Sequence, residues 1–215
     1  MRRKNQNQST MQVLEPLEFG CTYHIYNRGI DKCSLFKEKA NYEHFIRLYD
    51  KYINPVANTF AWVLMKNHFH FLVKIKNYDE VKEKMKNLPA KKTVLAPFQY
   101  FSNMFNAYSK AFNKKYDRTG SLFENRFKRK LVKDIEYFQY LVLYIHNNPV
   151  NHRIVDDPIK YPWSSYMSCV TLKSATIDCQ AVVGYFDNLG NFKSMHHTEM
   201  NFEDIEKWLG LGSYY

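Results

Sequence analysis

"NTFAWVLMKNHFHFLVKI", residues 58–75, decides how this chain folds. Two apolar runs, 58–65 and 68–75, are rich in β-branched and aromatic residues and are separated only by Lys66 and Asn67. That separation is hairpin length, so the pair predicts two antiparallel strands, although the glycine that such turns favour is missing. Along the second strand, side chains alternate between faces. His68 and His70 therefore point one way while Phe69 and Phe71 point the other. Two imidazoles on one face are either polar decoration of a wet surface or a pair able to ligate one divalent ion. Spacing alone leaves both readings open, and a further ligand would have to come from elsewhere.

The flanking text supplies the other elements. "CTYHIYNRG" (21–29) alternates and ends in a turn signal, as a strand would. In 41–53, Tyr42, Phe45, Ile46, Tyr49 and Ile53 recur at helical spacing. Residues 78–88 read as a short charged helix. Residues 95–116 read as a long one, with Leu95, Phe98, Phe101, Met104, Phe105, Tyr108 and Phe112 forming an apolar stripe. "YDRTGSLFENRFKRKLV" (116–132) starts as a loop and becomes a strand with Arg126, Lys128 and Lys130 on one side. "DIEYFQYLVLYIHNN" (134–148) is a helix capped by Asp134 and closed by Pro149, apolar almost all round and therefore buried. Tyr144 and Asn148 share a face of it, and Pro149 biases Asn148 away from helical geometry. Residues 161–169 read as a packed turn or short helix, and 201–210 as a terminal helix capped by Asn201. Strands and helices interleave without regular βα alternation, which places the chain in the α+β class with helices on an antiparallel sheet. The expected organisation is a basic leader (1–15), one domain (16–168) and a carboxy-terminal extension (169–215).

Composition narrows the function. Lys and Arg outnumber Asp and Glu by 31 to 21, giving a net charge of +10 that suits a polyanion, most often nucleic acid. No run approaches the ~18 apolar residues of a membrane span, and "MRRKNQNQST" at the start has no apolar run behind it. The four cysteines show no C-x-x-C pairing. Together these lead us to expect a cytoplasmic protein with reduced thiols and no zinc finger. Neither a phosphate-binding G-x-x-x-x-G-K-[ST] loop nor a G-x-S-x-G elbow occurs. The basic strand at Arg126, Lys128 and Lys130, with Lys110, Lys114, Lys115 and Arg118, is a candidate track for a DNA backbone; the alternative is a solvated edge strand guarded by lysines. Tyr100, Tyr108, Phe123 and Trp163 either stack on bases or fill the core.

"HFH" inside an apolar strand resembles the HUH motif (histidine, hydrophobic residue, histidine) of single-tyrosine transposases. "YNRGIDKCSLF", "NYEHFIRL", "RTGSLFENRFK", "YIHNNPVNHRIV" and "YPWSSY" resemble, in order, the sequence blocks of the REP-associated tyrosine transposase branch of that family. The resemblance spans about residues 22–168. It departs from the commoner text in "SLFENRF", where Trp, Gln and Gly are more usual, and at His146 and Asn147. It implies a ferredoxin-like antiparallel sheet with helices packed on it. It also implies a reaction, in which single-stranded or hairpin DNA is cleaved and rejoined through a 5′-phosphotyrosine. In that reading Tyr144 is the nucleophile, and His68, His70 and Asn148 hold Mg²⁺ or Mn²⁺, which would polarise the scissile phosphate. The implied protein is a monomer or homodimer. Two rival expectations stand beside it. One is a transposase-derived module that holds DNA without cutting it. The other is a zinc hydrolase using the histidine pair, for which the sequence offers no acidic third ligand near the motif.

Overall fold

The computed structural model describes residues 15–86, 93–174 and 176–198. The predicted hairpin forms strands β2 (Ala57–Met65) and β3 (His68–Ile75), turning at Lys66 and Asn67. β1 (Thr22–Arg28) pairs antiparallel with β3 and, on its other edge, with β4 (Lys128–Leu131). The four-stranded order is β2-β3-β1-β4, with every neighbouring pair antiparallel. With α1 (Lys39–Tyr52) after β1 and α3 (Pro97–Lys115) before β4, the chain follows the β-α-β-β-α-β order of ferredoxin-like units. The short charged helix α2 (Tyr78–Lys86) comes directly after β3. Gly29 ends β1 because the chain folds back sharply there; a Cβ would collide with the Cys33 carbonyl.

α1 and α3 cover one face of the sheet. Tyr23, Ile25, Phe69, Phe71, Val73 and Ile75 point into that side and meet Phe45, Phe101, Phe105 and Tyr108. Of the aromatics considered for base stacking, Tyr100, Tyr108 and Phe123 are buried in this core, and Trp163 stacks on Tyr42. A register irregularity between Thr59 and Ala61 switches the alternation of β2. Before it Thr59 faces Tyr49, bonded hydroxyl to hydroxyl at 2.6 Å; beyond it Ala61, Val63 and Met65 point to the opposite face.

That opposite face belongs to α4 (Ile135–Asn151) and to three shorter helices later in the chain. Asp134 caps α4 by accepting from the Tyr137 N–H at 2.7 Å, and residues 141–149 are buried throughout, as the apolar sequence predicts. Pro149 does not close the helix; it lies inside it, and Asn148 stays helical. The missing N–H removes only one ladder bond close to the end. The Asn148 and Pro149 carbonyls still accept, from His152 N at 3.1 Å and Ile154 N at 2.9 Å. Burial of the helix outweighs the local bias. The basic strand is also shorter than expected: Arg126 precedes it, in a turn with a left-handed φ of 60°.

α5 (Tyr166–Thr171), α6 (Cys179–Gly184) and α7 (Leu189–His196) pack on α4 and supply Cys169, Val182, Val183 and Phe192 to the same core, joined by Phe186 from the turn between α6 and α7. A chain of polar groups runs through it. His196 Nδ1 lies 2.7 Å from the Phe192 carbonyl, which can only accept, so Nδ1 carries the proton and Nε2 accepts. His146 Nδ1, 2.9 Å away, donates to it. His146 Nε2 then accepts from the Ser165 hydroxyl at 2.8 Å, and Ser165 Oγ accepts from Trp62 N–H at 2.9 Å. One tautomer of each ring satisfies every link from α7 to β2, and burial holds the His196 pKa at about 4 and that of His146 well below the ordinary value. Residues 1–14 of the expected leader and the helix at 201–210 lie outside the described residues. Among those described, no helix is long and apolar enough to cross a membrane.

Ser165→Ala tests this network. It leaves His146 Nε2 and the Trp62 N–H buried without partners, at about 1–3 kcal/mol each. Urea unfolding of the variant is expected to show a loss in that range or above; a change below about 0.5 kcal/mol, the size of a neutral surface substitution, contradicts the network.

Candidate active site

The residues singled out in β3 and α4 meet. α4 runs antiparallel to β3 across the sheet, so that Tyr144 lies over His70 and Asn148 over His68. The His70 and Tyr144 rings are edge to face with centroids 5.3 Å apart, and His68 Nε2 lies 2.9 Å from Asn148 Oδ1. The match is geometric. Four residues of helix rise about 6 Å and two residues of strand about 6.6 Å, so an i,i+4 pair falls into register with an i,i+2 pair.

Neither histidine decorates a wet surface. His68 and His70 are 8% and 5% exposed, and Tyr144 and Asn148 are 1% exposed each. Burial lowers the His68 pKa to about 4, partly opposed by its contact with Asn148. Burial, then the neighbouring rings of His24 and His68, holds His70 well below the usual range. Both rings are neutral near pH 7, as metal ligands must be.

His68 also has Asn67 Oδ1 2.9 Å from Nδ1. A neutral ring carries one proton, yet amide oxygens face both its nitrogens. With Nδ1–H donating to Asn67, the Nε2 lone pair faces Asn148 Oδ1. Either a cation joins those two acceptors or the Asn148 amide turns over to donate. His70 is held similarly. Its Nδ1 lies 2.9 Å from His24 Nε2, while its Nε2 is buried and has no hydrogen-bond partner among the described residues. His24 is wholly buried, stacks on Tyr26 and His70, and has its pKa lowered to about 3, by burial first and then by the charge of Lys130.

These donors fit a divalent ion. Octahedral bonds of about 2.1 Å set adjacent donors about 3 Å apart, close to the 2.9 Å between His68 Nε2 and Asn148 Oδ1. His70 Nε2 and His24 Nδ1 are both buried without a partner among the described residues. In the tautomer in which His70 Nδ1–H donates to His24 Nε2, His70 Nε2 offers a lone pair, and Asn67 and His24 then hold the outer nitrogens as supporting groups do around metals. Among the described residues no three His, Cys, Asp or Glu side chains group to hold an ion, so the third protein ligand here would be the Asn148 amide. A pocket of about 30 Å³ opens onto the pair, room for an ion or a water, lined by Tyr26, Arg28, Lys128 and Glu124. Tyr144 and Asn148 are not on its wall.

No family profile matches this chain, and no characterised protein sequence does. Among solved structures, a REP-associated tyrosine transposase bound to a REP hairpin superposes with a TM-score of 0.51 at 16% identity, over 73% of this chain and 82% of that one. The chain has the fold of a REP-associated tyrosine transposase. Two structures of a bacterial tRNA(His) guanylyltransferase-like protein are looser matches, both with a TM-score of 0.38. The GTP complex covers 64% of this chain and 68% of that one at 11% identity; the ATP complex covers 88% and 75% at 10%.

On the transposase fold the expected basic track divides. Lys128 and Lys130 share the histidine face of β4: Lys128 lines the pocket, and the Lys130 ammonium lies 5.4 Å from the Tyr137 ring centre. Lys115 pairs with Glu38, and Arg118 braces a loop by donating to Asn113 Oδ1 and the Ser121 carbonyl. Lys114 is exposed at the end of α3. Lys110 and Arg126 line a separate groove. Sequence reading missed His24, Asn67 and the Arg28–Glu124 ion pair. His24 shares the alternating face of "YHIYNR" with Tyr26, which is the one local signal it carries; its partner lies across the sheet.

Buried neutral histidines predict an acid-sensitive fold. The pKa values of His24 and His68, about 3 and 4, lie below the ordinary 6.5, so the unfolded chain binds more protons as pH falls. Their contribution is whole above pH 6.5 and is lost as pH falls towards 4, by up to about 1.4 kcal/mol per pH unit for each ring. Urea midpoints at about pH 7.5 and about pH 5 should therefore differ clearly; equal midpoints refute the neutral assignment.

Proposed function

We propose that this chain is a DNA strand transferase that cleaves and rejoins single-stranded or hairpin DNA through a 5′-phosphotyrosine on Tyr144. One observation carries the reading: the i,i+4 pair Tyr144 and Asn148 of α4 faces the i,i+2 pair His70 and His68 of β3, with the Asn148 amide oxygen 2.9 Å from His68 Nε2 and His70 Nε2 buried without a partner among the described residues. The transposase fold and the basic charge agree with it.

Tyr144 Oη attacks the scissile phosphorus. The bond from phosphorus to the 3′-oxygen breaks, the tyrosine loses its proton, and the leaving 3′-oxygen takes one up. The new phosphotyrosine keeps the diester's energy, so a 3′-hydroxyl can reverse the step without a nucleotide cofactor. His68, His70 and Asn148 would hold a divalent ion, Mg²⁺ or the more imidazole-tolerant Mn²⁺. When bound, that ion supplies charge to the phosphate oxygens and the leaving group. His24 and Asn67 orient the two imidazoles. Arg28, paired with Glu124, and Lys128 place positive charge at the pocket mouth.

A second reading, a protein that holds DNA without cutting it, is favoured by the burial of Tyr144 and its absence from the pocket wall. One assay separates the two. With labelled single-stranded hairpin DNA and Mn²⁺, wild type is expected to form a covalent protein–DNA adduct that EDTA and Tyr144→Phe both abolish. Binding without an adduct on hairpins drawn from its own genomic surroundings supports the holding reading, and an adduct that survives Tyr144→Phe moves the nucleophile elsewhere.

The supporting role of His24 is tested without turnover. His24→Ala is expected to weaken Mn²⁺ binding about 10–100-fold, measured from the free-ion EPR signal. His24→Gln, which keeps an acceptor for His70 Nδ1–H, should recover part of it. Equal affinity in all three proteins removes His24 from the site.

A further inference from the structure

We infer that Cys169 and Cys179 form a disulfide when the protein meets a low-molecular-weight disulfide such as oxidised glutathione, and that this bond clasps α5 to α6. The bond belongs to the layer covering α4 and needs no chemistry at Tyr144.

All four cysteines carry free thiols. They divide between the two faces of the sheet. Cys21 and Cys33 are partly buried against the core under α1 and α3, while Cys169 and Cys179 are 0% and 4% exposed in the core around α4. The sheet stands between the two sets, so Cys169 and Cys179 have each other as partners.

The chain folds back between α5 and α6, and the return is firmly held. Leu172 takes a left-handed φ of 54° just after α5, and α6 comes to rest against α5. Ser174 Oγ accepts from the Thr176 and Ile177 N–H groups at 3.1 and 3.0 Å, and the Cys179 N–H donates to the Ile177 carbonyl at 2.9 Å. Ile177 also bridges to Thr59 on β2, which fixes the return to the sheet. Across it the two thiols interact, with Cys169 as donor and the Cys179 sulfur as acceptor.

Exchange between a thiol and a disulfide runs through the thiolate. Burial, and then Cys179, pushes the Cys169 thiol well above its ordinary range. Burial raises that of Cys179 too, but there the contact with Cys169 opposes it. Cys179 ionises more readily and is the less buried of the two, so it attacks. Its sulfur bonds to one sulfur of the small disulfide, whose other half leaves as a thiolate. The Cys169 sulfur then displaces the remaining half from Cys179 and closes the bond. The two cysteines give up two protons and two electrons, and the small disulfide takes up both to become two thiols. A lone buried thiol is inert. Here the resolving sulfur already stands beside the attacked one.

Closing the loop from 169 to 179 removes conformations from the unfolded chain. α5 and α6 supply Cys169, Val182 and Val183 to the core that packs on α4. The clasp therefore stabilises the layer that holds α4 in place.

The test incubates the full chain with oxidised glutathione, then alkylates, digests and maps it by mass spectrometry. The expected product joins the Cys169 and Cys179 peptides and is two hydrogens lighter than their sum. Its thermal midpoint should rise by about 5 °C or more and return on adding dithiothreitol. Cys169→Ala should stop with glutathione retained on Cys179, whereas Cys179→Ala should leave Cys169 unmodified; the reverse pattern overturns the order of attack. Oxidised wild type with both thiols still alkylated, a bond from either to Cys21 or Cys33, or a linked protein with an unchanged midpoint overturns the clasp. The wild-type map requires no variant to fold. Neither readout involves DNA, so the clasp and the strand-transfer chemistry stand or fall separately.

Discussion

The arrangement at the site depends on α4 lying in register across β3. A helix and a strand seldom keep their side chains in step for long. Over one turn of helix and two residues of strand, however, the rises nearly agree, and there Tyr144 stands over His70 and Asn148 over His68. Sliding α4 by one residue would rotate Tyr144 by about 100° off the sheet. The rest of the second face acts to prevent that slide. Asp134 sets the start of α4, the Ala61, Val63 and Met65 side of β2 packs beneath it, and the His196–His146–Ser165 chain ties its middle to α7 and β2.

A ferredoxin-like unit alone would leave this face of the sheet open, because α1 and α3 occupy the other. The candidate site lies on that open face, and α4 to α7 close over it. The histidines thereby become buried and neutral, with one nitrogen of each ring engaged by an outer partner. Burial that would penalise a charged imidazole leaves the lone pairs in place.

Much of this was legible from residue patterns. The hairpin, the long stripe of α3, the Asp134 cap and the shared faces of His68 with His70 and of Tyr144 with Asn148 all arise from periods of two and of three to four. Local rules misread Pro149 and Arg126. Pro149 remains helical because one lost bond near a helix end matters less than the apolar surface α4 buries. Arg126 falls in a turn because the loop pairs with residues 28–30 before β4 begins, a non-local contact that no window around 126 contains. The seven cations expected to form one track scatter for the same reason, since each side chain's partner depends on which loop comes to rest beside it.

The sequence by itself determined the elements, the sheet-forming hairpin and the two candidate pairs, because backbone periodicity is set by covalent geometry and acts within a few residues. Only the tertiary structure decided that the pairs meet and that His24 faces the outer nitrogen of His70. Those relations span 46 residues between His24 and His70 and 80 between His68 and Asn148. Over such separations it is the packing of whole faces, not local preference, that chooses which side chains touch.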